Sequence, residues 1–150
     1  MSHFVYKISY PGPGHSPRRN RVAILVEPKS GKGDRYIFAV KGNIHHEDMI
    51  YGVEYPSENS SDEPDEFSRS DPVGVIDIEA ETDLVKFAEV CESIQPPLRQ
   101  FNKFGKKLYP DSLVRRSKEW VEETLMALRE KGTIKTPENM LLQKHEWERY

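Results

Sequence analysis

The residues of this chain best placed to do chemistry are Arg115, Arg116 and Ser117, at the predicted start of a long helix. The first turn of a helix presents unpaired amide groups and a positive potential, so two arginines there suit a phosphate or carboxylate. A serine at a helix start is also a preferred N-cap, which stabilises the helix by about 1 kcal/mol. As a nucleophile, Ser117 would need a base within hydrogen-bond reach. Capping, anion recognition and catalysis are therefore three open hypotheses, in that order.

Other patterns that often carry chemistry lack the required spacing. The glycine-containing turns at 12–16 and 31–33 do not match the G-x-x-x-x-G-K-[ST] loop, so we predict no nucleotide cofactor. The run His45-His46-Glu47-Asp48 has metal-ligand atom types, but adjacent side chains point to opposite faces, so we predict no metal site. Cys91 is the only cysteine, and on the apolar face of a predicted helix we expect a buried, unreactive thiol.

Charge is distributed unevenly in a chain whose net charge is -3. Between Arg99 and Lys118 seven basic residues accompany one acid, Asp111, whereas Glu58 to Asp71 carries six acids and a single arginine. Two solvated surfaces explain this pattern, and so does a local anion site on an acidic protein. A pI of about 6.0 argues against a nucleic-acid partner.

Hydrophobic patterning predicts the strands that must position these residues. The first, with Phe4, Tyr6, Ile8 and Tyr10 on one face, is typical of an edge strand, and the next two read as a central hairpin. Residues 57–71 contain one apolar side chain, and we interpret them as a mobile acidic loop. The five predicted strands span residues 4–10, 22–26, 35–41, 49–55 and 73–78.

Two helices and a tail follow. Thr82 is the expected N-cap of the first helix, residues 98–104 form a short helix or turn, and the long helix begins near Ser117 and ends at Lys131-Gly132. Thr136-Pro137 opens a tail helix over 136–150. The predicted buried faces are Leu84, Phe87, Val90, Cys91 and Ile94 on the first helix and Val121, Thr124, Leu125 and Leu128 on the second.

The length of 150 residues suits one domain with a core, so we predict a single α+β domain over 1–150. Its expected form is a mostly antiparallel sheet of about five strands with the C-terminal helices packed on one face. No run approaches the roughly 18 apolar residues of a membrane span, and the N-terminal residues lack a signal-peptide pattern. We therefore expect no membrane partner and a cytoplasmic protein, with the nucleus left open.

The helix Arg-Arg-Ser-Lys-Glu-Trp-Val, with Val-Ala-Ile-Leu-Val and Phe-Ala-Val-Lys-Gly-Asn-Ile before it, resembles small fungal proteins of uncharacterised families. Those segments are similar to the nucleophile helix and sheet of papain-like folds of the NlpC/P60 kind, and the similarity covers about residues 18 to 134. The resemblance implies a papain-like core in which the nucleophilic cysteine falls at Ser117 and the histidine base near Arg21. Since both positions are changed, it implies a pseudoenzyme.

The function predicted from the sequence is a non-catalytic binding or regulatory domain. Arg21, Arg115, Arg116 and Ser117 would converge in the implied fold on an anionic small molecule or an acidic peptide, and the domain would form a homodimer through an exposed apolar edge or the Trp147 tail. The alternative is a small hydrolase, acyltransferase or isomerase acting on a secondary metabolite through Ser117. In that case the partner groups would come from Tyr36, Tyr51, His15, His45 or His46.

Overall fold

The computed structural model describes residues 2–10, 21–30, 33–55 and 68–135. In chain order the elements are β1 Ser2–Tyr10, β2 Arg21–Pro28, β3 Tyr36–Lys41, β4 Ile50–Glu54, β5 Ser68–Asp77, α1 Glu81–Ser93 and α2 Ser117–Glu130. The α+β class, with five strands before two helices, is as predicted. The papain-like core stays a proposal.

The five strands form one antiparallel sheet in the order β4-β3-β2-β1-β5. The predicted hairpin is confirmed, because β2 and β3 pair with Ile24 opposite Phe38 and Leu25 opposite Ile37. The prediction that β1 is an edge strand is wrong, since β1 lies between β2 and β5. An alternating sequence indicates only that one face of a strand is more buried than the other. An inner strand can have such a pattern as well as an edge strand.

Strand β5 begins earlier than hydrophobicity predicts. Residues 68–71 belong to this strand, with Ser9 opposite Ser68 and Ile8 opposite Arg69, and not to the predicted acidic loop 57–71. Backbone amides pair with a neighbouring strand whatever side chains they carry, so a polar segment can extend a sheet. The rest of that predicted loop, 57–67, lies outside the described residues.

The main core lies between the sheet and the two helices. Strand β2 contributes Val22, Ile24 and Val26 to it, and the rings of Phe38 and Phe87 meet with centroids 4.8 Å apart. Both predicted helix faces are confirmed, because their residues are buried or pack partly buried against this core. Trp120 is fully buried beside them, and its indole Nε1 donates a hydrogen bond to the Ile94 carbonyl at 2.9 Å.

The opposite face of the sheet carries a second, smaller cluster. Its members are buried, and Tyr6 and Tyr10 pack against them; they are Ile8, Ala23, Leu25, Ile37 and Ala39. Strand β2 therefore has buried side chains on both faces, as its continuous apolar sequence predicts.

The helix ends agree with the sequence only in part. Ala80, not Thr82, is the N-cap of α1, because the carboxylate of Asp83 accepts hydrogen bonds from the backbone N–H groups of Glu79 and Ala80 at 3.0 and 3.1 Å. Helix α2 ends as predicted, with Gly132 at a φ of 68° directly after the C-cap residue Lys131. The predicted tail helix 136–150 lies outside the described residues.

Candidate functional site

The start of β2 meets the start of α2 at a single hydrogen bond. The backbone N–H of Val22 donates to Oγ of Ser117 at 3.0 Å, and the Ser117 residue is only 5% exposed. The hydroxyl thus joins a strand to a helix that begins 95 residues later in the chain. Positions 21 and 117, which the papain-like resemblance pairs, lie on these two adjoining ends.

The N-cap of α2 is Arg116, so the prediction of Ser117 as the cap is wrong by one position. Arg116 has extended backbone geometry, and its N–H donates to the carboxylate of Glu119 at 3.2 Å. Glu119 therefore satisfies the backbone N–H of the N-cap residue, a different donor from the first-turn N–H group that an N-cap serine would satisfy. Ser117 is instead the first helical residue, and its hydroxyl is turned to Val22.

Arg115 is turned along the outside of α2. Its Nε donates to Oε2 of Glu123 at 2.6 Å, which compensates its charge. The Gln100 side chain holds the Arg115 backbone from both sides, since its amide oxygen accepts from the Arg115 N–H and its amide nitrogen donates to the Arg115 carbonyl, each at 2.6 Å. Arg115 therefore adds little free charge to the junction of β2 and α2.

Arg21 lies at the same end of the sheet on the face away from the helices. Its guanidinium carbon is 4.5 Å from the centroid of the Tyr10 ring, on the neighbouring strand β1. Its Nε is buried and has no hydrogen-bond partner among the described residues. A buried guanidinium nitrogen without an acceptor is unusual, because leaving a charged donor unpaired carries a desolvation cost.

Lys41 is a second cation near Arg21, and sequence reasoning missed it. Burial, and then the positive charge of Arg21, lower the pKa of Lys41. The Lys41 ammonium forms an ion pair with Glu54 on β4. The hairpin register, with Ile24 opposite Phe38, brings the end of β3 to the start of β2, so counting back along that register would have identified Lys41.

Ser117 has no imidazole or carboxylate partner within the described part of the chain. Tyr51 packs against Trp120, its ring 5.9 Å from the indole, and burial raises its pKa, as does the nearby Cys91. The His45 ring stacks on Phe101 at 4.0 Å. The other residues proposed to assist Ser117 are Tyr36, whose ring contacts Tyr55, His46, for which the structure shows no contact to Ser117, and His15, which lies outside the described residues.

Cys91 behaves as the sequence predicts for a core thiol. It is fully buried among the main-core residues, and burial raises its pKa well above the usual range. A thiol that stays protonated is a poor nucleophile. Across the described ranges, no group of three His, Cys, Asp or Glu side chains is placed to hold a metal ion.

A depression of about 330 Å³ lies at the other end of α2, beside β5. Its charged lining side chains are Asp77, Asp83, Lys86, Lys131 and Lys135. The lysines would favour an anion, but the two aspartates and the carbonyl end of α2 oppose one. The depression is therefore a weaker anion site than the end of the sheet that holds Arg21. In the described chain, no helix has the length and apolar character needed to span a membrane.

Comparison with known proteins places the chain in a family without assigning an activity. A family model described as "Family of unknown function (DUF6540)" matches residues 5–135. No curated protein and no solved structure matches the chain. Since the match covers most of the sequence, the chain belongs to the DUF6540 family.

Proposed function

Because the family carries no assigned activity, we propose from the residues themselves that this chain is a non-catalytic binding or regulatory domain. It recognises an anionic group, on a small molecule or an acidic peptide, at the end of the sheet where β2 begins, on the face that carries Arg21. The observation that carries the proposal is the buried Nε of Arg21, which lacks a hydrogen-bond acceptor in the described structure. A phosphate or carboxylate oxygen would supply one.

The surroundings of Arg21 support an anion rather than a neutral ligand. Arg21 and Lys41 are close enough for one charge to lower the pKa of the other, and Glu54 is the acid paired with Lys41. An anion between the two cations would relieve their repulsion.

The anion site proposed from structure differs in membership from the one proposed from sequence. Arg21 is retained and Lys41 is added, whereas Arg116 and Ser117 begin the helix on the other face of the sheet, where the Ser117 hydroxyl already accepts the Val22 N–H. Arg115 lies outside it because Glu123 holds its guanidinium. Arg115 can therefore serve as the control residue when the anion site is tested by mutation.

Isothermal titration with inorganic phosphate and with a polyglutamate peptide tests this function. We expect Arg21→Gln and Lys41→Gln each to weaken binding by about tenfold, the effect of losing one charge-assisted hydrogen bond. Arg115→Gln, which removes a charge already paired at the surface, should change the affinity by less than about twofold. Absence of binding by the wild type, or equal losses in all three variants, would contradict the proposal.

The alternative, an enzyme using Ser117, receives less support. The Ser117 hydroxyl is buried and already accepts the Val22 N–H, and no described base contacts it. This geometry also suits the pseudoenzyme implied by the papain-like resemblance. The predicted cytoplasmic location and homodimer are part of the same proposal, and Ile50, 73% exposed on edge strand β4, is the apolar residue that supports an edge contact.

A further inference from the structure

The segment between the two helices exposes large apolar side chains. Residues 98–113, here called the Phe104 loop, lead from the end of α1 toward the start of α2. Every residue from 103 to 113 is exposed. Among them Phe104 is 75% exposed, Tyr109 58% and Leu113 94%. These three side chains lie within ten residues of one another in the chain, and exposed apolar side chains that form a patch mark an interaction surface.

The backbone of the Phe104 loop is folded. The Asn102 N–H donates to the Lys106 carbonyl and the Leu108 N–H to the Gln100 carbonyl, each at 2.8 Å. The Asn102 side chain closes the tip, because its oxygen accepts from the N–H groups of Phe104 and Lys106 at 2.9 and 3.0 Å. Gly105 at the tip takes a φ of 77°, a conformation that favours glycine. These hydrogen bonds therefore fix the backbone position from which the Phe104 side chain extends.

Contacts with the body of the protein fix the base of the loop. The Gln100 N–H donates to the Ile44 carbonyl at 2.8 Å, and the Arg99 N–H donates to Asp48 at 2.7 Å. The two hydrogen bonds between the Gln100 side chain and Arg115 tie the same base to the start of α2. The loop is thus oriented with respect to the whole domain.

Basic side chains are interspersed with the apolar ones along the sequence of the loop. The loop contains Arg99, Lys103, Lys106 and Lys107 against one acid, Asp111. The Lys103 ammonium lies 5.2 Å from the centroid of the Phe104 ring. Apolar side chains that can enter the acyl region, flanked by cations at headgroup level, are the chemistry of an anionic membrane surface.

We propose that the Phe104 loop is a docking surface for an anionic lipid bilayer. The tip is convex, since the space around Gly105 is open and its neighbours are exposed, and a convex tip enters an interface without needing a complementary groove. Surface docking needs no spanning helix, and it revises the expectation from sequence that the protein has no membrane partner.

Cosedimentation with lipid vesicles tests the proposal on the full chain. The protein is mixed with vesicles of phosphatidylcholine alone, or with about one-third phosphatidylserine, at low and at high salt. We expect partition onto the anionic vesicles only, falling as salt rises. Phe104→Ser and the double variant Lys103→Gln, Lys106→Gln should each lower the partition coefficient by about tenfold.

Met126→Ser is the matched control, since Met126 is a 60% exposed apolar residue on α2 outside the loop, and its partition should stay within about twofold of wild type. Circular dichroism confirms that each variant is folded. Absence of partition onto anionic vesicles overturns the proposal, and so does an equal loss in Met126→Ser. Phe104-dependent self-association, or binding to an oligonucleotide or polyglutamate without vesicle binding, also overturns it and assigns the loop to that other partner.

Discussion

At the scale of the residue, the hydroxyl of Ser117 is committed to the fold. It accepts the Val22 N–H in a buried setting, so it satisfies a backbone donor that would otherwise have no partner there. The same atom would have to be free and beside a base to act as a nucleophile. The hydrogen bond from Val22 therefore gives Ser117 a structural role and not that of a nucleophile.

Replacing Ser117 by alanine tests that structural role. Ser117→Ala removes the acceptor of a buried N–H group, and we expect the free energy of unfolding to fall by about 1–3 kcal/mol. Urea unfolding followed by far-ultraviolet circular dichroism measures the change.

Ser112→Ala, in the exposed segment before α2, is the matched serine control and should stay within about 0.5 kcal/mol of wild type. Equal stability of Ser117→Ala and wild type would show that the Val22 N–H finds another partner.

Sequence reasoning located the start of α2 but not the residues that adjoin it, for a physical reason. The helix start at Arg116 and Ser117 could be predicted because helix-start chemistry is local, set by residues a few positions apart. The partner of Ser117 and the proximity of Lys41 to Arg21 depend on which strands become neighbours, which no local pattern encodes. Arg115 was assigned to the anion site because a guanidinium suits an anion. In the folded chain that guanidinium donates to Glu123 instead, a contact that the sequence pattern did not predict.

At the scale of the element, periodicity predicted the helices better than the strands. The buried faces of α1 and α2 follow from apolar residues three and four positions apart, a signal that tertiary contacts rarely reverse. The position of β1 in the sheet was misjudged, because β1 pairs with β5 as well as with β2, mainly through residues 72–77, and strand patterning does not say which strands become neighbours. The N-cap of α1 was misplaced because the helix begins before Thr82, and the Asp83 carboxylate stabilises that start by accepting the N–H groups of Glu79 and Ala80.

The two glycines Gly132 and Gly52 allow a matched test of helix termination. Gly132→Ala places a side chain at a φ of 68°, and we expect it to lower the free energy of unfolding by about 1 kcal/mol. Gly52 on β4 has no positive φ, and no atom lies within 4 Å of an added Cβ. Gly52→Ala should therefore leave the free energy of unfolding unchanged or raise it slightly. Urea midpoints compare the two, and equal losses would show that strain at Gly132 is not the cause.

At the scale of the whole molecule, the sheet has a hydrophobic cluster on each face, the main core on one side and the second cluster on the other. Strands β2 and β3 send side chains to the main core with the helices and to the second cluster on the other face. The polarity of the sequence, with 31% charged residues, does not prevent this because the apolar residues are concentrated in those strands and in two helix stripes. The single-domain prediction for the whole chain stays a prediction.

Two groups in or beside the core should make stability fall at alkaline pH. Burial raises the pKa values of the Cys91 thiol and the Tyr51 hydroxyl, whereas in the unfolded chain they titrate near 9.0 and 10.0. Above those values the unfolded chain has released protons that the folded chain retains, so stability decreases as pH rises. Well below pH 9.0 both groups are protonated in the folded and the unfolded chain, so neither makes the stability depend on pH there.

Urea midpoints measured from about pH 8 to about pH 11 give the slope, since the effect of Cys91 develops at about pH 9 and that of Tyr51 above about pH 10. Cys91→Ala and Tyr51→Phe should each flatten it, while Tyr109→Phe, at an exposed tyrosine, should not. A wild-type slope that both core variants leave unchanged would assign the alkaline loss to other groups.

The bond between Val22 and Ser117 also has a consequence for synthesis on the ribosome. Ninety-five residues separate donor and acceptor, which at 5–20 residues per second is about 5–20 s of translation. Through that interval β2 has emerged while the helix that covers its apolar face is still being made. The nascent chain therefore exposes Val22, Ile24 and Val26 to solvent, and it is during this delay that a chaperone would be most needed.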